Sequence, residues 1–535
     1  MKIKKKLILM ICTILLVTIS IYFFINNKTK TNPVNLKSKE IIWGMINQRV
    51  LLDHTRSSFL QTRNLTSNIF EGLYQIDSRT SKKIPCLADS YTISDNKKIY
   101  TFNLKKDVKF HNGQKFTAED VKFSIERILR PKTGSYMAQN LQPIKGAKDV
   151  IDGKKENADG IKIINDYTIQ IECFEAMDFF DYIAILMPIY PKLVCAEAGN
   201  DWGKKIIVGT GPFKLAEYDI EQGCKLKKFE DYHSNKPLID FLYFKFYDDI
   251  NTMMLEYESG ENNFVMLGDN VANQYVDNKK FSDHLHLYDN PMAIYYILFN
   301  LDKEPWKNKK VREAFSYAID INSICKNLTK DKITPSGCLT IPESPGYDKD
   351  AIVKKYDPEK SLQILKEANI NIPVKIQLPI TDFNDWKSQI VIALQDQSRK
   401  AGFEITTPSI DSTFWKEKRV KGELPMYIAS WHMELPNIEQ MFYSVFYSKN
   451  SKMYSSNYKS SEFDSIITNS IKTFDKKYKD ELCRSADYLI CNVDFAAIPI
   501  GFPKEYYLLQ PYIKNFKIKN YKFPFQYCDI DRNQK

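Results

Sequence analysis

The hydrophobic repeat changes its period within one stretch, residues 97–129. In "KKIYTFNLKKDVKFHNG", aromatic and aliphatic residues alternate with polar ones and an Asn-Gly turn signal follows, which predicts a half-buried antiparallel strand. In "TAEDVKFSIERIL", apolar residues recur at helical spacing behind Thr117 as N-cap, and Pro131 follows the last of them. The pattern predicts a strand followed at once by a helix.

The same alternation continues along the chain. "EIIWGMI" (Glu40–Ile46) predicts a first buried strand, and five later segments predict helices: Asn308–Cys325, Pro358–Ala368, Trp386–Ala401, Ser461–Phe474 and Lys476–Ile490. With 535 residues the chain is too long for one core, since a domain averages about 150 residues. We therefore predict a mixed α/β protein of several lobes.

The N-terminus carries a cluster of Lys followed by an apolar run from Leu7 to Ile25. As a helix this run spans about 29 Å, close to the thickness of a bilayer. The preceding Lys cluster keeps the N-terminus cytoplasmic and places the rest of the chain outside. Because no small-x-small cleavage signal follows, we interpret the run as an uncleaved anchor in the cell membrane; a cleaved signal peptide, giving a secreted protein, stays open.

The net charge of +10 is concentrated near the anchor. Residues 1–40 carry +7, which leaves +3 for the remainder, where acids and bases are interspersed. This distribution lacks a phosphate-binding stripe, so we expect no nucleic-acid partner. The nine Cys beyond the apolar run are odd in number and include no C-x-x-C, so we predict neither a disulfide framework nor a zinc site, and interpret most of them as core residues.

The six His do not form a nucleophile or metal motif. His284 and His286 would share one strand face, but local pairing is the simpler interpretation. We predict a protein that is not an enzyme, with no catalytic residue, no metal ligand and no cofactor.

Three stretches together resemble one family. They are "NIFEGLYQIDSRTSKKIPCLADSYTISDNKKIYTFNLKKDVKFHNGQKFTAEDVKFSIERIL", "VGTGPFKLAEYDIEQGCKLKKFEDYHSNKPLIDFLYFKF" and "YYILFNLDKEPWKNKKVREAFSYAID". Their order and spacing are similar to those of the extracytoplasmic solute-binding proteins of peptide and nickel ABC importers, solute-binding family 5, which includes the oligopeptide- and dipeptide-binding proteins. The likeness runs from about Glu40 to the C-terminus.

The resemblance implies a periplasmic-binding-protein-like clamshell, with two lobes of mixed sheets flanked by helices and an inserted subdomain in lobe I. The implied boundaries are 1–39 for the anchor and stalk, 40–72 with 207–289 and 496–535 for lobe I, 73–206 for the inserted subdomain, and 290–495 for lobe II.

The resemblance also implies ligand contacts. A Trp-x-x-Asp segment, whose Asp pairs with the α-amino group of a peptide, matches Trp431 and Glu434, with His432 and Met433 between them. Glu is one methylene longer than Asp, which implies either that the amine site shifts outward or that the ligand class differs. The other matching positions are Ser58, Phe59 and Leu60 in an opposing backbone segment, Tyr296 as a cleft tyrosine, and Arg419 as a group able to reach a ligand carboxylate or side chains.

The implied function is capture of peptides in a closing cleft and their delivery to an ABC permease and ATPase complex, by a monomer held at the membrane through its N-terminal segment. Two alternatives stay open. One is a nickel- or metallophore-binding protein on the same scaffold, for which His432 would matter more. The other is a membrane-anchored sensor of signalling peptides, which an uncleaved anchor would suit.

Overall fold

The computed structural model describes residues 38–47, 49–57, 60–80, 82–176, 178, 180–276, 278–289, 292–381, 386–433, 435–518 and 523–531. The predicted anchor, Leu7–Ile25, lies outside these residues. Within the described part of the chain, no helix combines the length and the apolar character that a membrane span requires.

Strands and helices alternate along the chain, which confirms the predicted mixed α/β class. The strands are β1 (Glu40–Ile46), β2 (Tyr74–Ile76), β3 (Lys83–Pro85), β4 (Ala88–Ile93), β5 (Ile99–Leu104), β6 (Ile161–Asn165), β7 (Thr168–Glu172), β8 (Phe213–Asp219), β9 (Gly223–Lys228), β10 (Phe241–Tyr247), β11 (Phe264–Leu267), β12 (Leu285–Asp289), β13 (Ala293–Phe299), β14 (Ile333–Pro335), β15 (Val374–Gln377), β16 (Phe403–Thr406), β17 (Met426–His432), β18 (Ala497–Leu509), β19 (Ile513–Lys514) and β20 (Asp529–Ile530). The α-helices are α1 (Leu60–Thr66), α2 (Ala118–Leu129), α3 (Ala147–Ile151), α4 (Phe180–Ala184), α5 (Lys192–Ala198), α6 (Ile250–Ser259), α7 (Asp269–Val276), α8 (Lys309–Tyr317), α9 (Ile321–Ser323), α10 (Pro358–Glu367), α11 (Trp386–Arg399), α12 (Ser412–Val420), α13 (Ile438–Met441), α14 (Ser461–Lys472) and α15 (Lys476–Tyr488).

A ten-stranded mixed sheet runs through the molecule in the order β17-β13-β18-β11-β1-β10-β9-β8, and β12 and β14 also pair with β18. Strand β1 is parallel to both β10 and β11, whereas the other pairs in this sheet are antiparallel. Strand β18 is the long member: its first residues pair with β13 and its last residues pair with β11 and β12. It therefore links two parts of the protein through one continuous strand.

Separate hydrophobic cores distinguish these parts. One core is built from residues between 73 and 189, including the four-stranded antiparallel sheet β4-β5-β7-β6; we call this part the subdomain. Two cores from residues 41–70, 190–288 and 507–530 define lobe I. Two more, from residues 292–500, define lobe II. The clamshell class is confirmed, while the exact domain boundaries stay a prediction.

Helix α2 begins where its sequence predicts. The backbone N–H of Thr117 donates to Asp120 Oδ2 over 2.9 Å, closing the capping box, and the buried face includes Val121, Ile125 and Ile128. The strand before it, β5, buries Tyr100, Phe102 and Leu104 as the alternation predicts.

The predicted helix Asn308–Cys325 is wrong in its continuity. Helix α8 ends at Tyr317, and Asp320 starts a new turn by accepting a hydrogen bond from the backbone N–H of Ser323 at 2.9 Å. The backbone N–H of Asp320 is itself held by Gln397 Oε1 at 2.8 Å. An Asp side chain competes with helix hydrogen bonds, so it caps a new helix instead of continuing the old one.

Candidate functional site

A cavity lies between lobe I and lobe II. It contains about 1390 Å³ of space, part of it open to solvent. Lobe I and the subdomain supply most of its lining, from residues 54, 60–78, 185–188, 212, 232 and 523–527, and lobe II supplies His432, Met433 and Leu435. We call this space the cleft.

Helix α1 and the segment after it form the lobe I wall. Leu60, at the start of α1, is half-buried and lines the cleft, followed by Arg63 and Asn64. After the helix, Asn68 Nδ2 donates a hydrogen bond to the carbonyl of Asn64 at 2.7 Å, which ties this segment to α1. The wall thus presents polar groups next to apolar ones, a combination suited to a solute with both characters.

Strand β17 brings the lobe II wall to the cleft. In the described part of the chain it pairs with β13 alone, so it is an edge strand of the large sheet. Its last residue, His432, and the following Met433 line the cleft, and Met433 is anchored by its backbone N–H to the carbonyl of Met292 at 2.7 Å. The free edge of a strand offers backbone donors and acceptors to an extended partner.

His432 and Trp431 point to different neighbours, as expected for successive strand residues. The Trp431 ring lies 5.4 Å from Tyr454, and its Nε1 is buried without a hydrogen-bond partner among the described residues. His432 lines the cleft, and its ring lies 6.3 Å from that of Tyr295. Protein around the cleft desolvates this ring, and the charges of Lys387 and Arg63 act in the same direction, so its pKa falls to about 4.

Tyr296 does not line the cleft, in contrast to the sequence-based expectation. It is 2% exposed and belongs to a lobe II core, because β13 is an inner strand flanked by β17 and β18. Burial raises the pKa of its phenol well above the usual value. Tyr296 is therefore a core residue.

Arg419 is half-buried at the end of α12 and is not part of the cleft lining. Its carbonyl accepts a hydrogen bond from Ser455 Oγ at 2.8 Å. The remaining predicted contacts, Ser58, Phe59 and Glu434, lie outside the described residues and stay predictions.

His54 is a cleft residue that the sequence did not indicate. Thr66 donates its hydroxyl hydrogen to the carbonyl of Thr62 at 2.7 Å, so its oxygen accepts from His54 Nδ1 at 2.9 Å. This assigns the proton to Nδ1 and leaves Nε2 as a buried acceptor without a hydrogen-bond partner among the described residues. Burial, followed by the charge of Arg63, lowers the pKa of His54 to about 3. A lone His without a metal-ligand or nucleophile motif around it carries no sequence signal for such a position.

Glu71 is a second unexpected group in the cleft wall. Its carboxylate accepts hydrogen bonds from Tyr232 Oη at 2.7 Å, His233 Nε2 at 2.9 Å and Cys86 Sγ at 3.1 Å. Burial raises the pKa of Glu71, but the charge and hydrogen bond of His233, together with the other two donors, lower it below its usual value.

His284 and His286, the weak metal candidates, have separate partners. His284 Nδ1 hydrogen-bonds to the Tyr257 hydroxyl at 2.8 Å, and the His286 ring stacks on Tyr507 with centroids 5.0 Å apart. All nine Cys of the described chain are buried and free, which confirms the core interpretation.

Two lobes joined by a shared strand, with a cleft between them whose walls combine polar and apolar groups, define a solute-binding protein of the clamshell class. The family model of the bacterial extracellular solute-binding proteins, family 5 (middle), matches residues 82–453, and this chain belongs to that family.

Individual relatives are distant. The chain is 24% identical over 487 residues to the dipeptide-binding protein DppE of Bacillus subtilis, covering 87% of this chain and 86% of that protein. It is 25% identical over 473 residues to heme-binding protein A of Haemophilus influenzae, covering 84% of each. Among solved structures, the ABC transporter substrate-binding protein CtaP of Listeria monocytogenes superposes with a TM-score of 0.80 at 20% identity, covering 92% of this chain and 99% of that one.

Proposed function

We propose that this protein is the extracytoplasmic substrate-binding component of an ABC importer and that it captures peptides in the cleft. The observation that carries the proposal is the edge strand β17, which pairs with β13 alone among the residues that the structure describes and ends at the cleft. A peptide in extended conformation adds to such an edge through backbone hydrogen bonds that every peptide sequence offers. The family membership and the dipeptide-binding relative support the same ligand class.

The walls suit ligands whose side chains vary. Residues from lobe I, the subdomain and lobe II face a space large enough to hold water along with a short peptide. Water can bridge a variable side chain to wall groups at little cost in affinity. Closure of the two lobes on a bound peptide would then set the rate at which the peptide is released. The proposed partner that receives the peptide is a membrane permease with its ATPase.

Glu434 is the proposed partner of the peptide's α-amino group, from the Trp-x-x-acid pattern that begins at Trp431. We predict that Glu434→Gln weakens the binding of peptides with a free N-terminus by about 10- to 150-fold, since a charge-assisted contact contributes about 1.5–3 kcal/mol. N-acetylated peptides should lose little. Calorimetric titration of both ligand types measures this difference.

The matched control is Glu423→Gln, which removes an acid that pairs with Lys418 at the surface at 3.2 Å. Its affinity for both ligand types should equal that of the wild type. Equal losses for free and acetylated peptides in Glu434→Gln would refute the amine-site assignment.

Native mass spectrometry of protein purified under gentle conditions tests the ligand class. The proposal predicts co-bound masses that fragment as peptides. A mass that fits a metal or metallophore complex, and no peptide mass, would favour the alternative nickel- or metallophore-binding function.

The N-terminal run Leu7–Ile25 supports a membrane-anchored location with the binding lobes outside the cell. Sequencing the N-terminus of the mature protein separates the anchor from a cleaved signal: an intact Met1 or Lys2 start is expected, and a start beyond Ile25 would show secretion.

A further inference from the structure

Glu71, Cys86 and His233 bring together three different metal-ligand groups. One oxygen, the sulfur and one ring nitrogen lie within 4.8 Å of one another. Sulfur, imidazole nitrogen and carboxylate oxygen are the donors that Zn²⁺ binds in proteins, and donors on one tetrahedral ion are separated by similar distances. All three side chains are almost fully shielded from solvent: those of Glu71 and His233 are 4% and 5% exposed, and Cys86 is 0% exposed.

The backbone fixes the three positions. The N–H of Cys86 donates to the carbonyl of Leu73 at 3.1 Å, and the carbonyl of Glu71 accepts from the N–H of Ile189 at 2.9 Å. Beside His233, the N–H of Tyr232 donates to the carbonyl of Phe229 at 3.2 Å. The cluster is therefore assembled before any ion arrives, which lowers the cost of binding one.

The buried carboxylate of Glu71 has no permanently charged partner among the described residues. Among the described residues, the only charged partner of the Glu71 carboxylate is His233, whose charge is conditional on protonation. The ring nitrogen of His233 that faces Glu71 is Nε2, which lies 2.9 Å from Glu71 Oε2 and is the nitrogen available to an ion at the cluster.

We propose that Glu71, Cys86 and His233 bind one thiophilic divalent cation of the Zn²⁺ type. Cys86 would coordinate as the thiolate and release its proton to solvent, so that thiolate and carboxylate together balance the two positive charges. The neutral imidazole of His233 supplies the third ligand, and water from the cleft, which Glu71 and Tyr232 line, supplies a fourth. Tyr232, which donates to Glu71 Oε1, would orient the carboxylate from outside the coordination sphere.

The site lies in the lobe I wall of the peptide cleft but does not depend on a peptide. Its residues are far apart in sequence, 15 positions between Glu71 and Cys86 and 162 between Glu71 and His233, which is why no spacing motif reveals it. An ion bound there would hold the lobe I wall, which faces strand β17, in one position. The shape of the cleft would then depend on whether metal is bound.

Titration with Co²⁺ tests the site directly, using metal-free reduced protein and no peptide. Because a thiolate bound to Co²⁺ gives an ultraviolet charge-transfer band, one equivalent should produce that band, and Zn²⁺ should remove it by displacement. Cys86→Ser should abolish the band and weaken Zn²⁺ binding by more than about 100-fold. A loss of that size is larger than the loss expected if Cys86 were only a partner outside the coordination sphere. Cys224→Ser, at another fully buried Cys of lobe I, should keep both.

Thermal unfolding gives a second measurement. Zn²⁺ should raise the Tm of the wild type and of Cys224→Ser, because an ion bound only to the folded state stabilises it, and should leave the Tm of Glu71→Gln unchanged. The absence of a thiolate band in the wild type would overturn the proposal, even if the variants fail to fold. A band that is retained in Cys86→Ser would also overturn it. Peptide binding is measured separately, so a failure here leaves the proposed transport function standing.

Discussion

Single residues at the cleft have chemical states that follow from their surroundings. His54 keeps its proton on Nδ1 because Thr66 accepts there, and burial excludes a second proton. His432 and Trp431 have different neighbours because they are successive residues of strand β17, a property of local strand periodicity. The sequence did not predict the Glu71 cluster or the burial of Tyr296, since both depend on which distant strands become neighbours.

The lowered pKa of His54 predicts a pH dependence of stability. Its pKa is about 3 in the folded protein and 6.5 ordinarily, so between these values the unfolded chain binds a proton that the folded protein does not. Stability is therefore lost as pH falls below 6.5, by at most about 1.4 kcal/mol per pH unit from this group. In His54→Gln, the slope of unfolding free energy against pH between 6 and 4 should be shallower by about that amount.

Urea unfolding at several pH values measures this slope. Thr66→Val is the control, because it removes the partner of His54 but keeps the titrating group; its stability should fall at every pH with the slope largely retained. Identical slopes in the wild type and His54→Gln would show that His54 is charged in the folded protein.

At the scale of elements, local signals predicted the structure well and long-range contacts corrected it. The capping box at Thr117 and the periodicity of Ser461–Phe474 both correspond to helices that the structure contains. The break after Tyr317 was missed because an Asp inside an amphipathic pattern resembles a solvated helix position. Its capping role depends on Gln397, which is distant in sequence.

Strand β18 is the element that links the lobes, and Gly501 sits where it changes partners. It faces Tyr295 of β13 next to a shift in register and also pairs with Pro335 of β14, and its φ is 153°. A Cβ there would lie 2.0 Å from the carbonyl oxygen of Thr334, a backbone atom that no rotamer change can move.

We predict that Gly501→Ala lowers the free energy of unfolding by about 1–3 kcal/mol through this overlap. The change should appear as a lower urea midpoint. Gly268→Ala is the control, since a Cβ at Gly268 meets nothing within 4 Å, and its midpoint should stay near that of the wild type. A wild-type midpoint in Gly501→Ala would mean that β18 and β14 are not packed this closely.

At the scale of the whole molecule, ion pairs join lobe II to the subdomain, in addition to the link that β18 makes between the lobes. Lys479 of α15 bonds to Asp178 of the subdomain at 3.1 Å and to Glu439 within lobe II at 3.2 Å. Lys472 of α14 pairs with Glu175 of the subdomain at 2.7 Å. The backbone N–H of Asp178 also donates to the carbonyl of Ile471 at 3.0 Å, so lobe II and the subdomain meet through charge pairs and backbone together.

These cross-lobe pairs should slow ligand release. Exposed ion pairs contribute about 0.2–1 kcal/mol each, so Glu175→Gln with Asp178→Asn should raise the peptide dissociation rate by about two- to thirtyfold. The Lys479–Glu439 pair inside lobe II is kept, so the fold should be retained. Stopped-flow dissociation measures the rate.

The matched control is Asp149→Asn with Glu156→Gln, which removes the same charge from the subdomain at positions without a described ion pair to lobe II. Its dissociation rate should equal that of the wild type. If both double variants release peptide at the wild-type rate, the cross-lobe pairs have no part in retention.

Chain length predicts that the protein has several lobes, but their clamshell arrangement is predicted only through the family resemblance, because nothing local in a sequence tells which cores form together. The central claim is that a peptide is held between the two lobes. Hydrogen–deuterium exchange with and without a peptide pool tests it most directly. Slower exchange is predicted in both walls at once, in the segment 60–78 and in the segment 426–435. Unchanged exchange in either wall on saturation with peptide would contradict the account.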